Sequence, residues 1–255
     1  MTSPTEALDA PVVERVLSDG RILESSGLAR SGYDDRVLWT HNDSGDLPRL
    51  FAVGKDGTTQ GVLTLSGVNA VDWEAMSRLR HSDGTSWLYV GDIGDNARLR
   101  GEISVHQVEE PRERGDQSVV PTTYRFRYPD GRHDAEALLV HPRSKRIYIV
   151  TKNYYGGGIY VAPSSLSTTE VNELTRVADA PRNVTDGAIM YDGRMVLRNY
   201  NGAFVSSGPG EALTWFPLPS SMQGESLAVA PGYQTIYVGS EGYRSSVWEV
   251  PLPAL

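Results

Sequence analysis

Cysteine is absent from the 255-residue chain, which removes disulfides, thiolate metal ligands and cysteine nucleophiles together. Long apolar runs are absent as well, since no stretch approaches the roughly 18 apolar residues of a membrane span. The opening MTSPTEALDAPVV has neither the basic start nor the apolar centre of a signal peptide, so the chain is expected to be cytoplasmic. Basic residues are outnumbered, 24 Lys and Arg against 32 Asp and Glu for a net charge of −8. That balance argues against a nucleic-acid or anionic-membrane partner, both of which need a basic face. The usual catalytic fingerprints fail too: there is no G-x-S-x-G elbow, HExxH, P-loop or Rossmann glycine motif.

What is present is punctuation. Glycine (26) and proline (15) are frequent, and they separate short β-branched and aromatic runs with no sustained helical spacing. Five segments share one plan. First strands read SSGLAR, WEAMSRL, AEALLVH, TDGAIMY and GESLAVA, from Ser25, Trp73, Ala135, Thr185 and Gly224. Second strands begin at Val37, Trp87, Ile147, Met195 and Ile236, third strands follow, and fourth-strand candidates are GVLTL, TTYRFRY, ELTRVA and ALTWFP. The fifth unit lacks an outer strand, and PVVERVLSDG near the N-terminus can supply it. The expectation is an all-β, five-bladed β-propeller closed by the N-terminal strand, with six blades as the alternative. It forms one domain over residues 1–255, with residues 1–10 a flexible lead.

In such a repeat the start of strand one and the end of strand two share a face, because the two are antiparallel neighbours. This gathers Glu74, Glu136, Asp186 and Glu225 around the axis, with Ser26 at the equivalent place in the first unit and Glu24 two residues upstream. Second strands contribute His41, Asn42 and Asp43; Asp92 and Asp95; Lys152 and Asn153; Arg198, Tyr200 and Asn201; and Glu241. Carboxylates crowded in one channel need protons or a cation. All-oxygen ligands suit Ca²⁺ best, with Mg²⁺ or Mn²⁺ as alternatives, so Glu74, Glu136, Asp186 and Glu225 are the expected metal ligands. The other reading is that these acids accept backbone N–H groups and fix the blades.

NDSGD (Asn42 to Asp46) and GDIGDN (Gly91 to Asn96) read equally as Asx turns or as loops that bring Asp43, Asp92 and Asp95 over the channel. Lys152 and Arg198 either neutralise the acids or orient an anionic substrate. Tyr154, Tyr155, Tyr200 and Tyr243 could wall the site. His41 is the one histidine aimed near it, while His81, His106, His133 and His141 are expected mostly on the surface or in loops.

THNDSGDLPRLFAV, DWEAM, YVGDIGDNARLR, YPDGRHDAEALLVHP, TDGAIM and QGESLAV together resemble a group of actinobacterial propeller proteins labelled WD40-like, phytase-esterase-like or TolB-like. Propellers of the phytase, lactonase and arabinanase kinds are similar in placing carboxylates, often with Ca²⁺, at the channel mouth. The resemblance implies a site location and a metal preference; many relatives look exported.

The functional expectation is a metal-assisted hydrolase or lyase on a small polar or anionic substrate. His41, Asp43 or Asp92 would move protons, and Lys152, Arg198 and Tyr200 would hold substrate. A glycosidase with paired carboxylates is the alternative enzyme. A non-catalytic scaffold, with a protein partner and an exposed apolar patch, is the alternative class. The protein is expected to be a monomer.

Overall fold

The computed structural model describes residues 10–253; all but residue 10 of the expected lead at residues 1–10 lies outside them. Among the described residues twenty-two strands form five sheets. β1 (Val12–Val16) precedes the first blade, which is β2 (Ser25–Arg30), β3 (Leu38–Asn42), β4 (Arg49–Val53) and β5 (Thr59–Leu65). The second blade is β6 (Trp73–Arg80), β7 (Ser86–Asp92), β8 (Ile103–Glu109) and β10 (Thr122–Arg127), with β9 (Gln117–Val119) in the connection before β10. The third is β11 (Ala135–Val140), β12 (Ile147–Thr151), β13 (Gly157–Val161) and β15 (Thr175–Ala180), with β14 (Asn172–Glu173) before its last strand. The fourth is β16 (Val184–Ile189), β17 (Met195–Asn199), β18 (Gly202–Ser206) and β19 (Thr214–Pro217). The fifth is β20 (Ser226–Val229), β21 (Thr235–Gly239), β22 (Ser246–Pro251) and the returning β1. The protein is a five-bladed all-β propeller.

The closing strand is fastened at both of its neighbours. β1 pairs antiparallel with β22, Val12 opposite Glu249 and Val16 opposite Ser246. Arg15, buried beside Glu14, reaches the first blade and donates to the carbonyls of Val53 (2.7 Å) and Gly54 (2.9 Å). Closure thus joins the fifth blade to the first through a charged side chain whose donors are matched.

Each blade packs on the next through its own apolar cluster, because successive side chains on a strand face opposite blades. Trp39, Leu50 and Leu63 of blade one meet Trp73, Met76 and Leu88 of blade two. Tyr89, Val105 and Phe126 meet Leu138, Ile149 and Tyr160 across the next interface. Leu139 and Val150 meet Leu197, Val196 and Phe216 meet Ile236 and Val250, and Tyr237 and Val247 meet Leu28 and Phe51 to complete the ring. Full burial of each large side chain contributes about 1.5–3 kcal/mol.

Two short strands were not expected from sequence. β9 adds in parallel to β5 at the rim of blade one, and β14 adds in parallel to β10 at the rim of blade two. Both come from a following blade and cover an outer edge that would otherwise present unpaired backbone groups.

Candidate functional site

Four of the five inner strands open with the same irregularity. The ladder skips one residue between Ser25 and Gly27, Trp73 and Ala75, Ala135 and Ala137, and Val184 and Asp186. The skipped residues are Ser26, Glu74, Glu136 and Thr185. A bulge of this kind re-aims one side chain out of the pleat. In blade five the ladder begins at Ser226 opposite Gly239, as Ala75 lies opposite Gly91, so Glu225 takes the equivalent place. A second ring lies two residues upstream: Glu24, Asp72, Asp134, Asn183 and Gln223. Its carbonyls receive the N–H of the residue just beyond strand two in four blades: Asp43 to Glu24, Ile93 to Asp72, Lys152 to Asp134 and Glu241 to Gln223, at 2.9–3.1 Å. Those four donor residues, with Tyr200 in blade four, are the third ring.

Acids hold three of the five places in each of the first two rings and two in the third, and the electrostatics follow. Glu74 is 2% exposed; burial pushes its carboxyl up to about 11, reinforced by Glu136, Asp43, Asp72 and Asp134. Glu136 is pushed up to about 8 by burial, against the opposing pull of Lys152. Burial raises Asp43 to about 6, with Asp72, Glu225 and Glu24 adding to the shift. Glu241 rises to about 8 through burial and its contact with Glu225, and burial raises Asp72 and Asp134 as well.

Two blades carry the same D-x-E pair, and their compensation differs. In blade three, Lys152 forms an ion pair with Glu136, and Asp134 Oδ1 accepts the N–H of Asp95 at 2.8 Å. In blade two, Asp72 and Glu74 have no ion-pair partner among the described residues; Arg100 acts on Asp72 only through its field and is itself paired with Asp92. The Ser26 hydroxyl lies 3.3 Å from Glu74 Oε2. Asp43 from blade one joins them, so that oxygens of Asp43, Asp72 and Glu74 all lie within 4.8 Å of one another. Gly94 sits directly against the pair: a Cβ there would lie 2.5 Å from Asp72 Oδ2 and 2.6 Å from Glu74 Oε1. Three carboxylates from two blades, closely gathered and with raised pKa values, fit a hard divalent cation.

The remaining expected site residues are placed as follows. Asp186 does not face the axis. The bulge puts Thr185 there instead, and a one-residue slip sends the side chain to the other face. Asp186 accepts the N–H groups of Gly187 (2.7 Å) and Leu227 (2.5 Å), and burial raises its carboxyl. Arg198 is likewise drawn away from the mouth, donating to the carbonyls of Ser226 and Gly239, both at 2.8 Å. Together these two clip blade four to blade five.

His41 is 0% exposed and edge-on to Trp73, with ring centroids 5.7 Å apart. Its Nδ1 faces the Asn42 carbonyl at 2.8 Å, and burial lowers its pKa to about 4, so it is held neutral inside the blade interface. His106 is also buried on β8, 5.9 Å from Trp73, where a surface position was expected. Asp92 pairs with Arg100 at 2.8 Å and accepts from Asp72 N at 3.2 Å. Asp95 accepts from Leu99 N and Arg100 N, each at 2.8 Å. GDIGDN therefore works as a turn that braces the Asp72 loop.

Lys152 and Tyr200 stay at the mouth. Lys152 Nζ lies 5.3 Å from the Tyr200 ring centroid, and the Tyr200 hydroxyl donates to Glu225 Oε1 at 3.3 Å. Asp72 and Asp134 were not singled out from sequence, although the repeated D-x-E spacing places both acids of each pair on one strand face. Exposed apolar side chains also stand on the loops at this end, among them Leu47, Leu99, Tyr154, Tyr155, Tyr243 and Met222; of these, the three tyrosines were expected as a wall of the site.

A closed five-bladed propeller with an acidic, cation-ready mouth is the class that fold and site define. No family model matches the sequence, and no curated protein does. Solved structures share the fold. A gluconolactonase from Xanthomonas campestris has a TM-score of 0.51 at 16% identity, over 97% of this chain and 96% of that one. A soluble aldose sugar dehydrogenase from Escherichia coli has 0.53 at 11%, over 94% and 98%. A glucose dehydrogenase has 0.53 at 9%, over 95% and 99%. These neighbours are enzymes, and at such identities the likeness is one of fold.

Proposed function

We propose that the protein is a metal-assisted hydrolase that binds a divalent cation, Ca²⁺ by preference, through Asp43, Asp72 and Glu74, and acts on a small uncharged polar substrate such as a sugar-derived lactone. One observation carries the reading: of two D-x-E pairs at the same mouth, the one beside Lys152 has its positive partner built in and the other does not. The lactone class is suggested by the gluconolactonase fold neighbour. A bound cation would polarise a carbonyl oxygen and stabilise developing negative charge.

The chain's own groups do the rest. Glu136, paired with Lys152 and with its carboxyl raised by burial, can take up a proton and return it to a substrate oxygen. Lys152 keeps that carboxyl oriented, and Tyr200 fixes Glu225 beside it. With Arg198 committed to the blade interface, Lys152 is the cation in direct contact with the acid rings. An anionic substrate would meet net repulsion there, which favours a neutral one.

Ca²⁺ titration by calorimetry, alongside hydrolysis of gluconolactone, tests this. Asp72→Asn is expected to weaken Ca²⁺ binding at least roughly tenfold and to remove turnover while the fold persists. Absence of any Ca²⁺ heat in the wild type would refute the metal reading; turnover that survives EDTA would refute the mechanism. A second reading, a peptide-binding module, is favoured by the exposed Leu47, Leu99, Tyr155 and Tyr243 on loops around the mouth.

A further inference from the structure

The inner strands that begin at the acidic mouth end in a chamber of the opposite sign. A cavity of about 570 Å³ opens there, within the size range of small-molecule sites. All five blades line it: Arg30 from the first, Arg78 from the second, Arg143 from the third, Tyr191 from the fourth and Tyr233 from the fifth. Arg80, His81 and Lys145 extend the basic lining, and no Asp or Glu is part of it.

The nearby acids are already engaged. Asp35 pairs with Arg30, yet Arg30 Nε is buried without an acceptor. Glu110, whose field reaches Arg78, is held by Gly32 N at 2.8 Å, by Trp39 Nε1 at 2.9 Å and by the Ser31 hydroxyl. Asp83 accepts the backbone N–H and hydroxyl of Thr85. Arg78, half-buried, makes no hydrogen bond or ion pair among the described residues, so its guanidinium is open to the chamber. Burial and the like charges of Arg30 and Arg80 push its guanidinium below the ordinary range. A guanidinium that faces a chamber with no carboxylate in its lining leaves its charge for an anionic group to meet.

The far wall has a different chemistry. Tyr191 stacks on Tyr233 with centroids 6.0 Å apart and planes 26° from parallel, and the Arg143 guanidinium lies 4.9 Å over the Tyr191 ring. Planar guanidinium forks suit bidentate phosphate or carboxylate oxygens, and the tyrosine pair offers a flat face to an organic body.

We infer that this chamber is a binding site for a small organic polyanion, a phosphate ester or a polycarboxylate, held by Arg78 and Arg143 against the Tyr191–Tyr233 stack. It is a different site from the acidic mouth and does not rest on the metal reading.

Calorimetry with pyrophosphate and, in a separate arm, citrate tests it in low-salt buffer with EDTA, so that neither probe can bind through a metal. One site per chain is expected, weakened roughly tenfold or more by Arg78→Met and by Arg143→Ala, and unchanged by Asp72→Asn. The probe that binds more tightly names the anion class. No heat with either probe at about 10 mM would overturn the inference, on the scale of weak non-covalent affinities. Binding of wild-type strength in both arginine variants would overturn it too. Arg143 is exposed, so its variant decides the matter even if Arg78→Met fails to fold.

Discussion

Raising the pH of the metal-free protein from about 7 to about 8.5 is expected to lower its melting temperature, and Ca²⁺ is expected to cancel the loss. The unfolded chain ionises Glu74 near 4.5, whereas the folded chain keeps it protonated up to about 11. The native state therefore binds more protons, and stability falls as pH rises. The fall starts above 4.5. Below pH 6.5 the buried histidines oppose it: His41, lowered to about 4, and His106, also lowered, are protonated only when unfolded, so rising pH stabilises through them. That opposing share is largely gone by pH 7, which sets the window. Glu74 alone keeps one excess proton across it, about 1.36 kcal/mol per pH unit or about 2 kcal/mol in all. For a chain of this size that corresponds to roughly 4–8 °C. Thermal melts in EDTA and in Ca²⁺, followed by near-ultraviolet circular dichroism, read both curves. Because Ca²⁺ must displace the protons, its stabilising shift grows with pH. A flat metal-free curve, or a Ca²⁺ shift that is the same at both ends of the window, would refute the claim that these carboxyls are buried together without a cation.

Two further outcomes separate structural from functional residues. Arg198→Met strips the Ser226 and Gly239 carbonyls of their donor and is expected to destabilise by about 2–3 kcal/mol in chemical denaturation, leaving Ca²⁺ affinity unchanged; an altered affinity would place Arg198 back at the mouth. Lys152→Met leaves Glu136 buried without its partner and is expected to cost about 3 kcal/mol, most of it recovered in Lys152→Met with Glu136→Gln; equal losses in the single and double variants would show that the pair is not coupled.

The blade order, the strand boundaries and the closing N-terminal strand are legible in the residues because they depend on period-two alternation and on Gly, Asp and Asn turns, both of which are local signals. TDGAIM marks where that legibility ends. Aligned by eye, Asp186 stands with Glu74 and Glu136, but the bulge shifts the axis-facing position to Thr185, and bulges leave no residue signature here. Arg198 shows a second limit: its strand position points toward the mouth, and only the length of its side chain lets the guanidinium turn into blade five. Asp72 was within reach, since D-x-E recurs as Asp72–Glu74 and Asp134–Glu136, two residues apart on one face. β9 and β14 were not, because parallel pairing to another blade's rim is decided by which edge happens to lie alongside.

The inner strand of blade two explains how both ends of the axis keep their charge. Glu74 stands at one end of β6 and Arg78 near the other, four residues on, a rise of about 13 Å. Had they stood adjacent, each would have neutralised the other, and neither mouth would need a ligand. Met76 lies between them and, with Leu28 and Leu227, contributes to the floor of the basic chamber. These apolar side chains hold the two charged ends of the strand apart. On the proposed readings, the acids are then left to a cation at one end and the guanidinium groups to an anion at the other. Unlike charges spaced along one strand and separated by apolar side chains are wasteful for a purely structural channel, which could pair them at no loss of packing. Their separation is what the two proposed ligand sites on one axis would require.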